Sequence, residues 1–323
     1  MPLEIVKLSK RFQNNWVLRD ITFAAAEGSV YGICGATASG KSTLLSVIAG
    51  ASTASGGSVL LDSKDLSAVK AKNRGFTLVS NRETVGVFTL IKGGSNRNSS
   101  GEAQIESFEK SLLSRAKVLL LDDPFDQMDN AIRQACFEKV RGFVRRHNAI
   151  CVFASSSFAQ ITELADTTAI LSASEISQTG SAQELFELPE TRQAATITGE
   201  NNLFEARRIS SSDADLPEFQ TIDGGHRIFV HRKEKSRLGP INKNMTLAIR
   251  PEQISMSMGA SFPEDNLLRA VVTDIKFCGP TSLIGFDADG LRLEMRVFKV
   301  VGLNIGDECM LGLPPHRILI LKD

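Results

Sequence analysis

The stretch that decides the fold is Gly35-Ala36-Thr37-Ala38-Ser39-Gly40-Lys41-Ser42-Thr43, which matches the phosphate-binding pattern G-x-x-x-x-G-K-[ST]. It follows a short apolar run, Val30–Cys34, and precedes Leu44–Ala49, which can bury one face of a helix. A strand, a glycine-rich loop and a helix in this order form the context that the motif requires. The plainer alternative, a glycine turn before a core helix, is disfavoured because both flanks are correct. We therefore predict an α/β P-loop fold.

The residue types of this loop suit ATP and Mg²⁺. Gly35 and Gly40 have no Cβ, so backbone N–H groups can close around phosphate oxygens. A helix that begins near Lys41 adds its positive N-terminal end. We expect Lys41 to reach the β- and γ-phosphates and the Ser42 hydroxyl to hold Mg²⁺. The other loop residues assigned to nucleotide binding are Ala38, Ser39 and Thr43.

Length and composition exclude several classes of protein. A chain of 323 residues has room for two domains, each with its own core. Lys+Arg and Asp+Glu both number 37, and this balance argues against an electrostatically driven nucleic-acid binder. The five cysteines form no C-x-x-C pair, which favours buried thiols in a reducing compartment. Neither a long apolar span nor a signal-peptide pattern is evident, so we expect a cytoplasmic protein that reaches a membrane only through partners.

Strands and helices alternate in the first part of the chain. Val118–Asp122 is apolar up to its last residue, as in a strand buried on both faces of a parallel sheet. Helical spacing of apolar residues predicts helices over 101–115 and 131–147. Ser181 and Glu184 form a capping box that opens a further helix. This alternation predicts a parallel sheet covered by helices on both faces.

The sequence pattern changes near Thr198-Gly199-Glu200. Beyond it, short β-type runs separated by turn residues predict a small all-β barrel or sandwich. We expect two domains, an ATP-binding domain over residues 1–198 and a β-rich OB-like domain over residues 199–323. The predicted strands of the second domain are 227–231, 246–249, 268–275, 282–286, 291–297, 308–313 and 318–321.

A second acidic element stands at a suitable distance from the P-loop. Asp122 ends the buried run Val118–Asp122, and Asp123-Pro124 follows it. An acid at the end of a strand beside a P-loop can orient Mg²⁺ or its water. We therefore assign Asp122 to the metal site.

With both elements in place, the chain resembles the ATP-binding subunit of an ABC importer, maltose-importer-like, of the type that energises uptake of sugars, glycerol phosphate, polyamines or oxyanions. The resemblance covers nearly the whole chain. It makes Gly35–Thr43 the Walker A motif, Leu119–Asp122 the Walker B motif and Asp126–Asp129 the D-loop. It places Phe12 where the family stacks an aromatic ring on adenine. Segments 199–203 and 249–252 resemble the family's C-terminal OB-type regulatory domain.

The chain departs from the family at positions that carry catalysis. The glutamate that activates water aligns with Asp123, and the histidine that contacts the γ-phosphate aligns with Ser156. Both are weak candidates for catalytic residues. The glutamine that senses Mg²⁺ aligns with Asn81, which we assign to the metal site, and Ala38 replaces a P-loop glycine.

The signature loop and the segment before it also differ. The loop becomes Asn98-Ser99-Ser100-Gly101-Glu102, whose Ser100 and Gly101 are the predicted nucleotide contacts. Only 17 residues lie between Asn81 and Ser99, where the family places a helical subdomain that docks on the permease. We expect that subdomain to be largely missing.

The departures affect turnover more than binding. We expect an ATP-binding subunit with weak hydrolysis of its own, paired with a standard ATPase subunit and held on the inner face of the membrane by permease subunits. One alternative is an ordinary homodimeric importer ATPase. Another is a soluble regulatory module in which ATP drives dimerisation without transport. The C-terminal domain either senses a ligand or only lengthens the dimer interface.

Overall fold

A computed structural model describes residues 2–80, 116–209, 216–231, 240–259 and 265–322. The chain divides into two compact units, Met1–Glu187 and Leu188–Asp323. The division falls before the boundary predicted at 198/199. The reason is that a helix at Arg192–Thr198 packs in the second unit, where Ala195 shares a small apolar cluster with Ala248 and Leu321.

The described residues of the first unit form two sheets and four helices. Its strands are β1 (Leu3–Phe12), β2 (Asn15–Ala25), β3 (Val30–Cys34), β4 (Gly56–Leu61), β5 (Lys64–Asp65), β6 (Phe76–Ser80), β7 (Val118–Asp122), β8 (Ile150–Ser155), β9 (Thr167–Ser172) and β10 (Glu175–Gly180). Its helices are α1 (Lys41–Ala49), α2 (Asn130–His147), α3 (Phe158–Leu164) and α4 (Ala182–Glu187), with a short 3₁₀ turn at Ala71–Asn73.

In the part of the unit that the structure describes, the main sheet has six strands in the order β10-β9-β3-β8-β7-β6. Strands β9, β3, β8, β7 and β6 run parallel, and only β10 pairs antiparallel with its neighbour. Every residue of β3, β7 and β8 is buried, as expected for central strands covered on both faces. The predicted parallel sheet is therefore confirmed, with an antiparallel edge strand that the sequence pattern did not indicate.

A second, antiparallel sheet has the order β2-β1-β4-β5. Alternate residues of β1 and β2, such as Leu3, Ile5 and Leu18, share one core with Leu44 of α1 and Leu120 of β7. Helix α1 therefore belongs to the core that joins the two sheets, which fixes the position of the P-loop at its N-terminus.

Two helix starts are capped by side chains, and the second of them was predicted from the sequence. Asp129 is the N-cap of α2, and its carboxylate accepts a hydrogen bond from the Ile132 N–H at 3.1 Å. Ser181 and Glu184 form the predicted capping box, because the Glu184 carboxylate accepts from the Ser181 N–H and the Ser181 hydroxyl accepts from the Glu184 N–H. The helix predicted over 101–115 lies outside the described residues.

The second unit is mostly β-structure, as predicted. Its described segments form two five-stranded antiparallel sheets, β13-β12-β11-β14-β20 and β15-β19-β16-β17-β18, which share an apolar core. The strands are β11 (Asn202–Arg208), β12 (Glu218–Thr221), β13 (Arg227–Phe229), β14 (Asn244–Ile249), β15 (Ser255–Ser257), β16 (Asn266–Cys278), β17 (Thr281–Ala288), β18 (Leu291–Val297), β19 (Glu308–Leu313) and β20 (Leu319–Leu321), and the helix is α5 (Arg192–Thr198). No helix within the described ranges is long and apolar enough to cross a membrane.

The N-cap of α2 provides a test of the first unit. Replacing Asp129 by Ala removes the acceptor for the Ile132 N–H, and loss of such a cap typically costs about 1 kcal/mol. We expect Asp129→Ala to lower the melting temperature of the first unit by about 2–4 °C in calorimetry. Asp129→Asn keeps a capping oxygen and is the control. Equal destabilisation by both variants would show that the cap is not the cause.

Candidate functional site: the P-loop and its neighbours

The P-loop lies between the end of β3 and the start of α1, as predicted. Gly40 is the N-cap of α1 and has φ +107°, a conformation that L side chains rarely adopt. A Cβ on Gly35 would lie 2.5 Å from the Leu171 carbonyl oxygen and 2.6 Å from the Ser39 hydroxyl. Both glycines are therefore required by the backbone itself, one for its conformation and one for close packing against β9.

Two loop residues depart from ideal packing. Ala38 has φ +65°, so the alanine that replaces a family glycine keeps the left-handed conformation at a cost in strain. The Ser39 hydroxyl is buried and has no hydrogen-bond partner among the described residues. A buried polar atom without a partner is costly, and it is a feature of sites that complete their hydrogen bonds with a ligand.

Lys41 packs its ammonium group against the first two residues of the loop. Its side chain is buried, and its Nζ donates to the carbonyl oxygens of Gly35 at 2.8 Å and Ala36 at 3.0 Å. These bonds hold a positive charge against the backbone that the motif uses to bind phosphate. The position agrees with the predicted role of Lys41 in binding the β- and γ-phosphates.

The two predicted metal residues that are described lie in contact. The Ser42 hydroxyl donates to Asp122 Oδ1 at 2.9 Å, which joins the first turn of α1 to the end of β7. The Ser80 hydroxyl, at the end of β6, lies 3.4 Å from Asp122 Oδ2. Ser80 was not singled out in the sequence. The parallel register places it beside Asp122, and only strand pairing reveals that neighbourhood.

The pair of weak catalytic candidates is also brought together. Asp123 has φ +46°, and its N–H donates to the Ala154 carbonyl oxygen at 2.9 Å. Its carboxylate Oδ1 accepts from the Ser156 N–H at 3.1 Å. The contact therefore joins the end of β7 to the segment that follows β8, through the Ser156 backbone and not through its side chain.

Phe12 lies at the end of β1, in the hairpin with β2. Its ring is 51 % exposed, and Lys10 Nζ lies 4.8 Å from the ring centroid. The hairpin reaches the P-loop because a Cβ on Gly40 would lie only 2.9 Å from the Val17 carbonyl oxygen on β2. An exposed aromatic ring on an element that touches the P-loop is suited to stack on a base.

Cys34 is the last residue before the P-loop. Burial raises the pKa of its thiol to about 12, although the neighbouring Lys41 charge acts in the opposite direction. Burial also raises the pKa of Cys151, on the adjacent strand β8. Both thiols are therefore protonated at neutral pH and serve as small apolar core groups.

The residues of this site fit ATP and Mg²⁺. Lys41 would hold phosphate, Ser42 and Asp122 supply the hard oxygen atoms that Mg²⁺ prefers, and Gly35 and Gly40 keep the loop free of Cβ atoms. Thr43 continues α1 as a half-buried residue. The other predicted site residues, Asn81, Ser100 and Gly101, lie outside the described residues.

The thiols give a test of the burial around the P-loop. Four of the five cysteines are buried, namely Cys34, Cys136, Cys151 and Cys309, and Cys278 is half-buried. We expect native protein at pH 8 to show one fast-reacting thiol, Cys278, in a chromogenic disulfide assay. Reaction of Cys34 should need denaturant, since its raised pKa leaves almost no thiolate. Cys278→Ser is the control, because it should remove the fast phase. Rapid modification of the Cys34 thiol in native protein, detected by peptide mapping, would contradict the described packing.

Comparison with known proteins gives the same two parts. Residues 18–92 match the ABC transporter family model, and residues 247–321 match the TOBE domain model. The chain is 23% identical to the Fe(3+) ions import ATP-binding protein FbpC of Escherichia coli O157:H7, with 99% of this chain and 98% of that protein covered. It is also 23% identical to FbpC 1 of Pectobacterium atrosepticum, with 99% and 97% covered.

Among solved structures, the ATP binding subunit of an ABC transporter matches with a TM-score of 0.48 and 18% identity, over 62% of this chain and 95% of that one. A nucleotide-free ATP-binding cassette gives a TM-score of 0.47 and 16% identity, over 56% and 92%. The names of the curated relatives concern iron, so they give no support to the expected carbohydrate import. Two separate parts of the chain are thus similar to an ABC transporter ATP-binding domain and to a TOBE domain.

Proposed function

We propose that this protein is the ATP-binding subunit of an ABC importer, that it binds ATP with Mg²⁺ and hydrolyses it weakly, and that it pairs with a second, standard ATPase subunit. Permease subunits would hold the pair on the inner face of the cell membrane. The observation that carries the proposal is the complete binding arrangement: Lys41 against the loop carbonyls and Ser42 bonded to Asp122.

Binding and turnover place separate demands on the site. Binding needs the glycine cradle, a cation for the phosphates, a hydroxyl for Mg²⁺ and an aromatic platform. The chain supplies these as Gly35 and Gly40, Lys41, Ser42 and Phe12. Mg²⁺, when bound with the nucleotide, neutralises phosphate charge. None of these groups is altered by the departures at the catalytic positions.

Turnover also needs a water molecule held in line with the γ-phosphate. The Asp123 side chain is one methylene shorter than glutamate, and a displacement of about 1 Å can cost ~10²-fold in rate. One of its oxygens accepts from the Ser156 N–H, which draws the carboxylate toward the end of β8. Ser156 also carries no imidazole. Loss of a general base typically costs ~10²–10⁴-fold, and the two effects do not simply add.

Pairing follows from how such sites are completed. In the family that the chain resembles, each ATP lies between two ATPase domains, and each domain supplies its signature loop to the other. A subunit that keeps ATP binding but has weakened catalytic positions is useful when its partner supplies turnover. The simultaneous changes at Asp123, Ser156 and Asn81, with Walker A retained, favour a heterodimer over a homodimer.

The transported solute is not chosen by this subunit, since solutes pass through the permease. The relatives are named for Fe(3+) ions, so ferric iron is the first cargo to test, ahead of sugars. The curated relatives are covered over nearly their full length, which supports an importer subunit over an isolated domain.

A soluble regulatory module is the second candidate function. In this alternative ATP drives dimerisation, and the TOBE domain senses a ligand or partner. The alignment to the Escherichia coli O157:H7 relative spans 357 positions against the 323 residues of this chain, so the relative has residues that this chain lacks. That difference is consistent with a reduced docking subdomain between Asn81 and Ser99, and it favours weaker contact with a permease.

The balance of binding and turnover can be measured on the purified chain. We expect ATP to bind with Mg²⁺ and Lys41→Ala to abolish binding. Steady-state phosphate release should be slow, and Asp123→Glu combined with Ser156→His should raise it by ten-fold or more, because the two family groups are restored. The control is Ser155→Ala, which removes a buried hydroxyl at the end of β8, directly before Ser156. Brisk turnover by the unaltered chain, abolished by Lys41→Ala, would contradict weak hydrolysis.

The partners can be identified from membranes. We expect affinity-tagged protein, expressed in its own host and solubilised in mild detergent, to recover permease subunits together with a second ATPase. The Lys41→Ala variant should recover less of the second ATPase, because ATP lies at the shared interface. Recovery of this chain alone, as a dimer in ATP, would instead favour the soluble regulatory module.

A further inference from the structure

A second hydroxyl lies beside the acid of the metal site. Asp122 ends β7, and each of its two carboxylate oxygens has a serine hydroxyl nearby. Ser42 Oγ lies 2.9 Å from Oδ1, and Ser80 Oγ lies 3.4 Å from Oδ2. The hydroxyls come from different elements, the first turn of α1 and the last residue of β6. The carboxylate is therefore held from two sides.

Ser80 is placed by strand pairing and not by chance proximity. Strands β6 and β7 are parallel, and Ser80 is the register partner of Asp122. Ser80 is 4 % exposed, and Asp122 is 7 % exposed. A hydroxyl buried in this way is costly unless it is hydrogen-bonded, and a carboxylate is a strong acceptor. Without the carboxylate as acceptor, an apolar residue would be more stable than serine at this buried position.

The orientation of this carboxylate matters to Mg²⁺. Mg²⁺ demands near-ideal octahedral oxygen geometry, so the acid that orients it or its water must be fixed. Ser42 would offer an oxygen lone pair to the metal while its O–H still donates to Oδ1. The second hydroxyl, on Oδ2, would restrain the other oxygen of the same carboxylate.

We propose that Ser80 is a positioning residue of the Mg²⁺–nucleotide site, acting through Asp122. The inference rests on the proposed binding of ATP with Mg²⁺ and adds a residue that belongs to none of the recognised motifs of the chain. Hydrogen-bond partners of metal-site carboxylates typically contribute 10–100-fold to metal affinity. Ser80 should therefore affect the Mg²⁺ dependence of nucleotide binding and leave metal-free nucleotide binding unchanged.

The chain offers a matched control. Ser155 is a fully buried serine at the end of β8, and its hydroxyl lies 3.4 Å from Gln160 Oε1 and accepts from the Ser157 N–H at 3.1 Å. It lies in the same sheet, at the carboxyl end of its strand like Ser80, and its hydroxyl bonds to Gln160 and Ser157. Removing its hydroxyl tests the general effect of losing a buried serine there. Ser80→Thr keeps a hydroxyl at the position under test.

The experiment titrates Mg²⁺ against a fluorescent ATP analogue with the full chain. We expect Ser80→Ala to raise the Mg²⁺ concentration for half-maximal binding by about 10–100-fold, while affinity in EDTA stays within about two-fold of the unaltered chain. Ser155→Ala and Ser80→Thr should both reach half-maximal binding at the Mg²⁺ concentration of the unaltered chain. Mn²⁺ binding measured by electron paramagnetic resonance should weaken in Ser80→Ala and stay unchanged in Ser155→Ala and Ser80→Thr.

Three results would overturn the inference. The first is a normal Mg²⁺ titration by Ser80→Ala. The second is an equal shift in Ser155→Ala and the third is an equal loss of affinity in EDTA, and either of these shows a general packing effect. Melting curves identify variants that do not fold, and in that case Ser80→Thr decides: a folded Thr variant with weakened Mg²⁺ dependence opposes the inference, and normal dependence supports it. Failure of the unaltered chain to bind ATP at any Mg²⁺ concentration would overturn the proposed function, and this inference with it.

Discussion

The hydrogen bond between the Ser42 hydroxyl and the Asp122 carboxylate joins the two parts of the chain on which the site depends. Ser42 belongs to the helix that follows β3, and Asp122 ends β7, two strands away in the sheet. The contact forms only because β3, β8 and β7 run parallel, so that their carboxyl ends share one edge. Burial of all three strands holds that edge in place. The candidate nucleotide site is thus a consequence of the sheet order.

Much of this arrangement could be predicted from the sequence, because the informative residues are local. Gly35–Thr43 carries its own strand, loop and helix signals, and the run before Asp122 is apolar without interruption. What could not be predicted depends on pairing between distant strands. Ser80 looks like an ordinary polar residue until register places it beside Asp122. Likewise, the antiparallel sheet of β1, β2, β4 and β5 follows from hydrogen bonds that no local pattern indicates.

The domain boundary shows the same limit. A change in sequence pattern near Gly199 marks where short strands replace the alternating strands and helices. The two compact units of the structure, however, meet in sequence after Glu187. Helix α5 precedes the predicted boundary and yet packs in the β-rich unit, through Ala195. Asp129 illustrates a different point: it matches a functional motif by resemblance, and in the structure its carboxylate caps α2.

The central claim is that the site holds ATP better than it cleaves it. Lys41, Ser42 and Asp122 keep the binding contacts, while the Asp123 carboxylate is short and bonded to the Ser156 backbone. The most direct test is to incubate the purified chain with labelled ATP and Mg²⁺, remove free nucleotide quickly, and identify what stays bound. The account predicts mostly intact ATP after many minutes. Bound ADP, with phosphate released at the rate of a standard ABC ATPase, would contradict it.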